Sequence, residues 1–174
     1  MAELVLRKRH RLRGKEVRVF ADQFEAAFGV RAFDSLDVDR AETGEMDVLV
    51  ADQQILALVL PAAEGGVETC LPTVRGLLKW RPTKARIVVD MGAIPFVNNG
   101  ADVMAPGIVD ADAAVLPGAP VWICDERNKQ PLAAGLALTV GTSMVRGKGK
   151  AVKTRTFVGD RFWNLPEPKG KDPT

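Results

Sequence analysis

The chain has few of the residues from which reactive centres are built. Of its 174 residues, one is histidine and two are cysteine. His10 lies in a basic run, so the interior has no histidine for a metal site or for a Ser/His or Cys/His catalytic pair. Cys70 and Cys124 lie far apart without Cys-X-X-Cys spacing, which suits buried thiols in a reducing cytosol. We therefore expect no catalytic residue, metal or cofactor.

Long apolar runs are missing as well. The longest, Ile55 to Ala63, is far shorter than the roughly 20 residues that a membrane-spanning helix needs. Basic residues crowd the start of the chain, where a secretory signal needs an apolar core. These features predict a cytoplasmic protein without membrane contact. With 47% hydrophobic residues, the chain can bury a core as one large domain or two small ones.

Charge is segregated along the chain, although the net charge is only +2. Residues 1–18 carry seven Lys or Arg against two acids, residues 19–70 carry two against eleven, and residues 141–174 carry eight against three. Such blocks suggest separate charged faces, and the basic faces could meet a polyanion. The alternative is that the blocks form ion pairs with one another on a solvated surface.

The first half of the chain predicts a helix followed by short strands. Apolar residues recur three or four apart from Lys15 to Phe28, and Gly29 is typical of a left-handed helix end. Strands are expected at 30–33, 46–51, 55–60 and 67–71, with a hairpin turn at 52–54 and an acidic edge strand at 34–42. A short helix at 72–82, with Pro72 in its first turn and Val74, Leu77 and Leu78 on one face, would end this module near Thr83.

The stretch DMGAIPFVNNGADVMAPGI, residues 90–108, is too interrupted for a long element and too apolar for a solvated loop. After a strand at 86–90, it predicts a sharp turn at Gly92, a short helix from Pro95 to Gly100, and a second turn at Pro106-Gly107. The glycine turn would let a ligand approach the backbone, and the helix start would offer free N–H groups to a phosphate or a ring acceptor.

The rest of the chain predicts more strands and a basic edge. Strands are expected at 121–125 and 132–140, and a second short helix at 143–146 would be capped by Thr142 or Ser143. A basic strand follows at 148–157, and Phe162 and Trp163 close it. The composition of residues 166–174 is typical of a disordered tail.

These residues together resemble a known family. RIVVDMGAIPFVNNGADVMAPGI, the KGKAV strand and GDRFW make residues 84–165 similar to a PUA domain, a small RNA-binding β-barrel. Residues 1–165 as a whole resemble the malignant T-cell-amplified sequence protein family, with LPTVRGLLKWRP similar to its linking helix. The resemblance implies an α+β fold in which a mixed α/β module at residues 1–83 precedes a six-stranded PUA pseudobarrel with two short helices at residues 84–165.

The resemblance also implies where RNA would lie. In PUA domains RNA contacts the glycine turn, the first helix and a neighbouring strand, while basic side chains hold phosphates. Carried over to this chain, the implied RNA-binding residues are Gly92, Ala93, Ile94, Pro95, Phe96, Met104, Pro106, Gly107, Lys148, Lys150, Lys153 and Arg155. Family members often have a histidine late in the basic strand, where this chain has Thr154 and Thr156.

The function implied by the resemblance is RNA binding without catalysis, in translation initiation, re-initiation or recycling. The barrel would grip the 3′ acceptor end of tRNA while the N-terminal module docks on the small ribosomal subunit, with an initiation-factor-like (SUI1-type) protein as partner. Two alternatives stay open. One is an enzyme or accessory subunit of tRNA or rRNA modification, and the other is a protein-interaction module whose basic patches only face solvent.

Overall fold

The computed structural model describes residues 3–34, 37–62 and 64–166, which form a five-stranded and a six-stranded β-sheet with short helices. In chain order the elements are β1 (Arg7–Arg11), α1 (Gly14–Phe28), β2 (Asp39–Glu42), β3 (Asp47–Ala51), β4 (Gln54–Leu60), β5 (Thr69–Pro72), α2 (Val74–Trp80), β6 (Arg86–Val89), α3 (Ile94–Val97), β7 (Val103–Met104), β8 (Ile108–Ala111), β9 (Pro120–Asp125), β10 (Pro131–Ala137) and β11 (Lys150–Phe157). The predicted α+β class is confirmed. None of the helices in these ranges is both long and apolar enough to cross a membrane.

The first sheet is antiparallel throughout, in the order β1-β2-β3-β4-β5. Asp52 and Gln53 form its predicted hairpin turn, and both are left-handed, with φ of 53° and 59°. Two left-handed residues match the right-handed twist of the strands that they join. Strand β4 is buried on both faces, as its continuous apolar pattern predicts.

Helix α1 covers one face of this sheet with its apolar stripe. Phe24 stacks at 4.7 Å from Phe28 and meets Trp80 of α2 edge-on at 5.1 Å, measured between ring centroids. The helix ends at Gly29, whose φ is 80° and whose N–H donates to the Glu25 carbonyl at 2.9 Å. The predicted helix and its glycine end are confirmed.

The second sheet has the order β7-β11-β10-β9-β6-β8, and only its β6–β9 pair is parallel. Its core side chains, among them Ile87 and Ile123, belong to the same apolar cluster as Phe28 and Leu77 of the first module. The N–H groups of Thr83 and Lys84 both donate to the Phe28 carbonyl, at 2.9 and 3.1 Å. Because one core crosses the boundary, the division into residues 1–83 and 84–165 stays a prediction.

The segment after β11 returns to the first sheet. Phe162 is only 3% exposed and packs with Val48, Ile55 and other side chains on the face opposite α1. Arg75 of α2 donates to the Trp163 carbonyl at 2.9 Å, and its guanidinium lies 4.0 Å above the Trp163 ring. Phe162 and Trp163 therefore cover the N-terminal module instead of closing the basic strand, a long-range contact that the local pattern does not reveal.

Several element boundaries in the first module differ from the sequence predictions. Residues 30–33 form a loop, because Phe33 is left-handed with a φ of 67° and turns its ring onto Trp80. Pro72 ends β5, and Thr73 caps α2 by accepting from the Gly76 N–H at 3.3 Å. The opposite side of α2 faces water, so Leu78 is exposed rather than buried.

Two predictions further along are also wrong. The strand expected at 132–140 ends at Ala137. The helix expected at 143–146 is replaced by a 3-10 turn at Gly141–Ser143, in which the Ser143 N–H donates to the Val140 carbonyl at 3.0 Å. The structure describes the predicted tail only as far as Pro166. The prediction of disorder for residues 167–174 falls outside the described residues.

The acidic run is an inner strand and not the predicted edge, because the basic run forms β1 and pairs with it. Arg9 and Arg11 bond Asp39 at 2.8 and 2.6 Å, and Lys8 bonds Glu42 at 3.2 Å. Burial raises the pKa of Asp39, but the hydrogen bonds from Arg11 and Arg9 outweigh it and hold the pKa below its ordinary value. Here the alternating charge blocks neutralise each other.

The contact between α2 and β4 gives a testable prediction about Gly76. Alanine ordinarily stabilises a helix interior by about 0.5–1 kcal/mol relative to glycine. At Gly76, however, an added Cβ would overlap the Leu56 carbonyl oxygen and would lie 3.0 Å from the Trp80 ring. We expect Gly76→Ala to lower the free energy of unfolding by about 1–3 kcal/mol in urea titrations. As a control, Gly14→Ala meets no atom within 4 Å and should cost nothing. A Gly76→Ala protein as stable as the wild type would contradict this packing.

Candidate nucleic-acid interface

A cleft of about 310 Å³ lies where the interrupted stretch folds against β7. Its lining contains six of the predicted RNA-binding residues and four further residues of the same stretch: Asp90, Gly92, Ala93, Phe96, Val97, Asp102, Val103, Met104, Pro106 and Gly107. Of the other predicted residues in this stretch, Ile94 packs half-buried against the core and Pro95 is exposed. Neither Ile94 nor Pro95 lines the cleft.

Local hydrogen bonds shape the cleft. After β6, the Asp90 side chain accepts from the Ala93 N–H at 3.0 Å and caps a 3-10 turn at Met91–Ala93. Helix α3 follows with Pro95 in its first turn, a position where the missing N–H is not needed. Gly100 has a φ of 82° and turns the chain into β7, as predicted for the end of the helix.

The chain turns at Gly92 as the sequence predicts, but without a left-handed residue. Gly92 lies inside the 3-10 turn, and its φ is outside the left-handed region. A Cβ at this position would meet only the Asp90 Oδ1, at 3.4 Å, which is an ordinary contact. The fold therefore does not need glycine here, and the absent side chain leaves open space beside the cleft.

Two of the N–H groups at the helix start are not free, contrary to the expectation. Met91 N–H donates to Glu126 Oε1 at 3.2 Å, and Ala93 N–H donates to Asp90. Both N–H groups are thus already bonded to carboxylates, which a phosphate would have to displace. Anion binding at this turn is therefore disfavoured, and cations elsewhere must meet any phosphates.

Two apolar side chains at the cleft face water. Phe96 is 68% exposed and Met104 is 47% exposed, whereas most large apolar side chains of the described residues are buried. An exposed aromatic ring next to an open cleft offers a surface on which a nucleobase can stack. Any of the four bases can stack there, so this contact does not depend on the RNA sequence.

Each cleft carboxylate is held by a cation. Arg146 bonds Asp90 at 2.8 Å and also donates to the Pro106 carbonyl at 2.6 Å. Lys150 bonds Asp102 at 3.3 Å, and Asp102 also accepts from the Thr154 N–H at 3.1 Å. The sequence reasoning missed Asp90, Asp102 and Arg146. The two acids bracket the glycine stretch and could have been noticed, but the Arg146 pairing joins residues 56 apart and needs the fold.

The predicted basic strand lies only partly at the cleft. Lys150 is opposite Met104 in the β7–β11 pair, and exposed Lys148 precedes it. Lys153 is exposed farther along β11, opposite Leu136 of β10. Arg155 is half-buried, and its Nε has no hydrogen-bond partner among the described residues. None of the four basic residues lines the cleft, but Lys150 lies next to it through its pairing with Met104 and its bond to Asp102.

Reactive side chains are not gathered here. Both cysteines are buried, and burial raises the pKa of Cys70 to about 12 and that of Cys124 to about 11, which keeps the thiols protonated. His10 is exposed on β1, in the other sheet. Among the described residues, no group of three or more His, Cys, Asp or Glu side chains is placed to hold a metal ion.

Comparison with known proteins identifies related sequences and structures. The sequence profile of the PUA domain matches residues 85–158. An uncharacterized protein of Methanocaldococcus jannaschii is 39% identical over 163 residues, which cover 92% of this chain and 98% of that protein. The crystal structure of a hypothetical protein from Pyrococcus horikoshii is 32% identical, covers 89% of this chain and 97% of that one, and has a TM-score of 0.73.

Eukaryotic relatives match over a shorter stretch. Translation machinery-associated protein 20 of Eremothecium gossypii is 34% identical over 56% of this chain and 58% of its own length. The malignant T-cell-amplified sequence 1 homolog of Drosophila melanogaster is 37% identical over 53% of each chain. The chain thus spans little more than half of the length of these eukaryotic relatives.

Proposed function

The chain belongs to the family of PUA-domain proteins whose homologues include translation machinery-associated protein 20 and malignant T-cell-amplified sequence 1, and from this premise we propose that it is a non-enzymatic RNA-binding protein of translation. The barrel binds the 3′ acceptor end of tRNA. The N-terminal module docks on the small ribosomal subunit in the cytoplasm, together with an initiation-factor-like protein of SUI1 type.

The observation that carries this proposal is the cleft beside β7, at which an exposed aromatic ring and cations occur together. Phe96 offers a face on which a base can stack, and the exposed cations Lys148 and Lys150, the second of them opposite Met104 at the cleft, are available to backbone phosphates. Aromatic stacking combined with backbone phosphate contacts is the usual way in which proteins hold single-stranded RNA. A free RNA end fits better than a duplex, because its terminal base is available to stack.

Two further features support a binding role over catalysis. The cleft lining contains carboxylates, apolar side chains and glycine, but neither a thiol nor an imidazole. Its two carboxylates are each ion-paired with a cation, Asp90 with Arg146 and Asp102 with Lys150. The link to translation is supported by the name of the Eremothecium relative, which describes that protein as associated with the translation machinery.

The first prediction for this function concerns Gly92 and the RNA end. A stacked terminal base contributes about 1–3 kcal/mol, so losing it should weaken binding roughly five- to a hundredfold. We expect Gly92→Leu, which fills the space beside the cleft, to cause such a loss with intact tRNA. Trimming the 3′-terminal nucleotides should cause a similar loss with the wild type. The Gly92→Leu protein should then bind intact and trimmed tRNA with the same affinity. The measurement is a fluorescence titration of each of the two proteins with each of the two tRNAs.

The controls separate a local effect from a folding defect. Gly92→Leu should unfold at the wild-type temperature, since its Cβ meets only Asp90 Oδ1 at 3.4 Å. Gly14→Leu, at a position with no atom within 4 Å in the other module, should leave tRNA affinity and trimming sensitivity unchanged. If the losses from Gly92→Leu and from trimming simply add, the RNA end does not lie at Gly92.

The second prediction concerns phosphate contacts. On single strands, each phosphate contact adds roughly 0.7 to the slope of log affinity against log salt. Lys150→Ala should therefore flatten the slope by about 0.7. Lys79→Ala is the matched control, because Lys79 is also ion-paired, with Asp52 at 3.1 Å, but lies on α2 of the first module. An unchanged slope with Lys150→Ala would place Lys150 on a solvated face without RNA.

A further inference from the structure

The two carboxylates of the cleft retain capacity to accept hydrogen bonds. Asp90 already accepts from Ala93 and Arg146, and Asp102 accepts from Thr154 and Lys150. An ionised carboxylate offers about four lone-pair sites, so each can accept further donors. Their side chains are 26% and 22% exposed and line the cleft, so a ligand there can reach them.

This lining selects by charge. Carboxylates favour hydroxyl and amino donors and repel phosphate, since like charges brought together across an interface are strongly unfavourable. Arg146 could turn toward a phosphate only by leaving Asp90 without its partner, whereas the Lys150 ammonium is 62% exposed and has three donors, so it can bond Asp102 and still meet a phosphate outside the cleft. Phosphates of a bound strand are therefore expected outside the cleft, where Lys148 and Lys150 are exposed, and the group inside should be uncharged.

The volume points to a single nucleoside. Pockets for small ligands typically measure roughly 300–1,000 Å³, and this cleft, at about 310 Å³, is at the lower limit. Phe96 and Met104 provide the apolar contacts that suit the base, which leaves the ribose hydroxyls to meet the carboxylates. An internal nucleotide carries a phosphate on its 3′ oxygen, so only the last nucleotide of an RNA meets this requirement.

We infer that Asp90 and Asp102 accept hydrogen bonds from the 2′- and 3′-hydroxyls of a terminal ribose, so that the cleft takes RNA 3′ ends with free hydroxyls and rejects ends that carry a phosphate. The inference rests on the proposed RNA-end function and adds its end-group specificity. It assigns a role to two side chains, in addition to the base-stacking and phosphate contacts.

The experiment uses the full chain and a short single-stranded RNA that ends in the CCA of tRNA. The RNA is prepared with a free 3′ end, with a 3′-phosphate, and with a 2′,3′-dideoxy terminal nucleotide. Wild type should bind the free end at least tenfold more tightly than the phosphorylated end. It should also bind the uncharged dideoxy end severalfold more weakly than the free end, because two donors are missing.

Asp102→Asn and Asp90→Asn should each reduce the preference for the free 3′ end over the phosphorylated end to less than threefold. Asparagine keeps an acceptor for the Thr154 or Ala93 N–H, so the fold should persist in both variants, which thermal unfolding checks. Asp110→Asn is the matched control, because it removes the same charge from exposed Asp110 on β8, outside the cleft lining. It should keep the full preference.

The outcomes separate this inference from the proposed function. Equal wild-type affinity for the free and phosphorylated ends would overturn the inference and leave RNA-end binding standing. Asparagine variants that are folded and keep the tenfold preference would also overturn it. If the wild type binds none of the three RNAs, the proposed function fails and the inference fails with it.

Discussion

One apolar core, shared between the two sheets, is the constraint on which the other features depend. Phe28 at the end of α1 and Leu77 of α2 belong to the same cluster as Ile87 and Ile123 of the second sheet. Burial of apolar surface is the dominant favourable term in folding, so the sheets cannot separate without exposing part of this core. Phe162, which returns from the barrel to the far face of the first sheet, ties the two parts together a second time. If the barrel holds RNA as proposed, the shared core fixes the position of that RNA relative to the N-terminal module.

The cleft depends on this frame through β7 and β11. The pairing of Lys150 with Met104 places a cation next to an exposed apolar side chain. Arg146, just before β11, reaches back to Asp90 at the end of β6 and fixes the start of the glycine stretch. Apolar side chains and carboxylates paired with cations thus meet at one cleft, and under the proposed function they would contact the base, the ribose and the phosphates of a nucleotide.

The sequence predicted well those features that depend on neighbouring residues. The periodicity of α1, its end at Gly29 and the turn at Asp52-Gln53 are local, and the structure confirms them. Residues 30–33 form a loop, although their local apolar pattern predicts a strand. The apolar residues of this loop pack into a core that the local pattern does not describe.

For the same reason, only part of the candidate site was predictable from the sequence. All ten of its lining residues come from one continuous stretch, and the family resemblance pointed to six of them. The pairing of Asp90 with Arg146 and the position of Phe162 depend on contacts between distant segments, and no local pattern encodes them.

The central claim is that an RNA 3′ end lies in the cleft beside β7. The most direct measurement is photo-crosslinking with an RNA whose last nucleotide carries a photoreactive base, followed by mass spectrometric mapping of the modified peptide. The account predicts crosslinks within residues 92–107, above all at Phe96 and Met104, whose side chains are exposed at the cleft. Crosslinks that map instead to the first sheet, or that persist unchanged when an excess of unlabelled RNA with the same end is added, would contradict it.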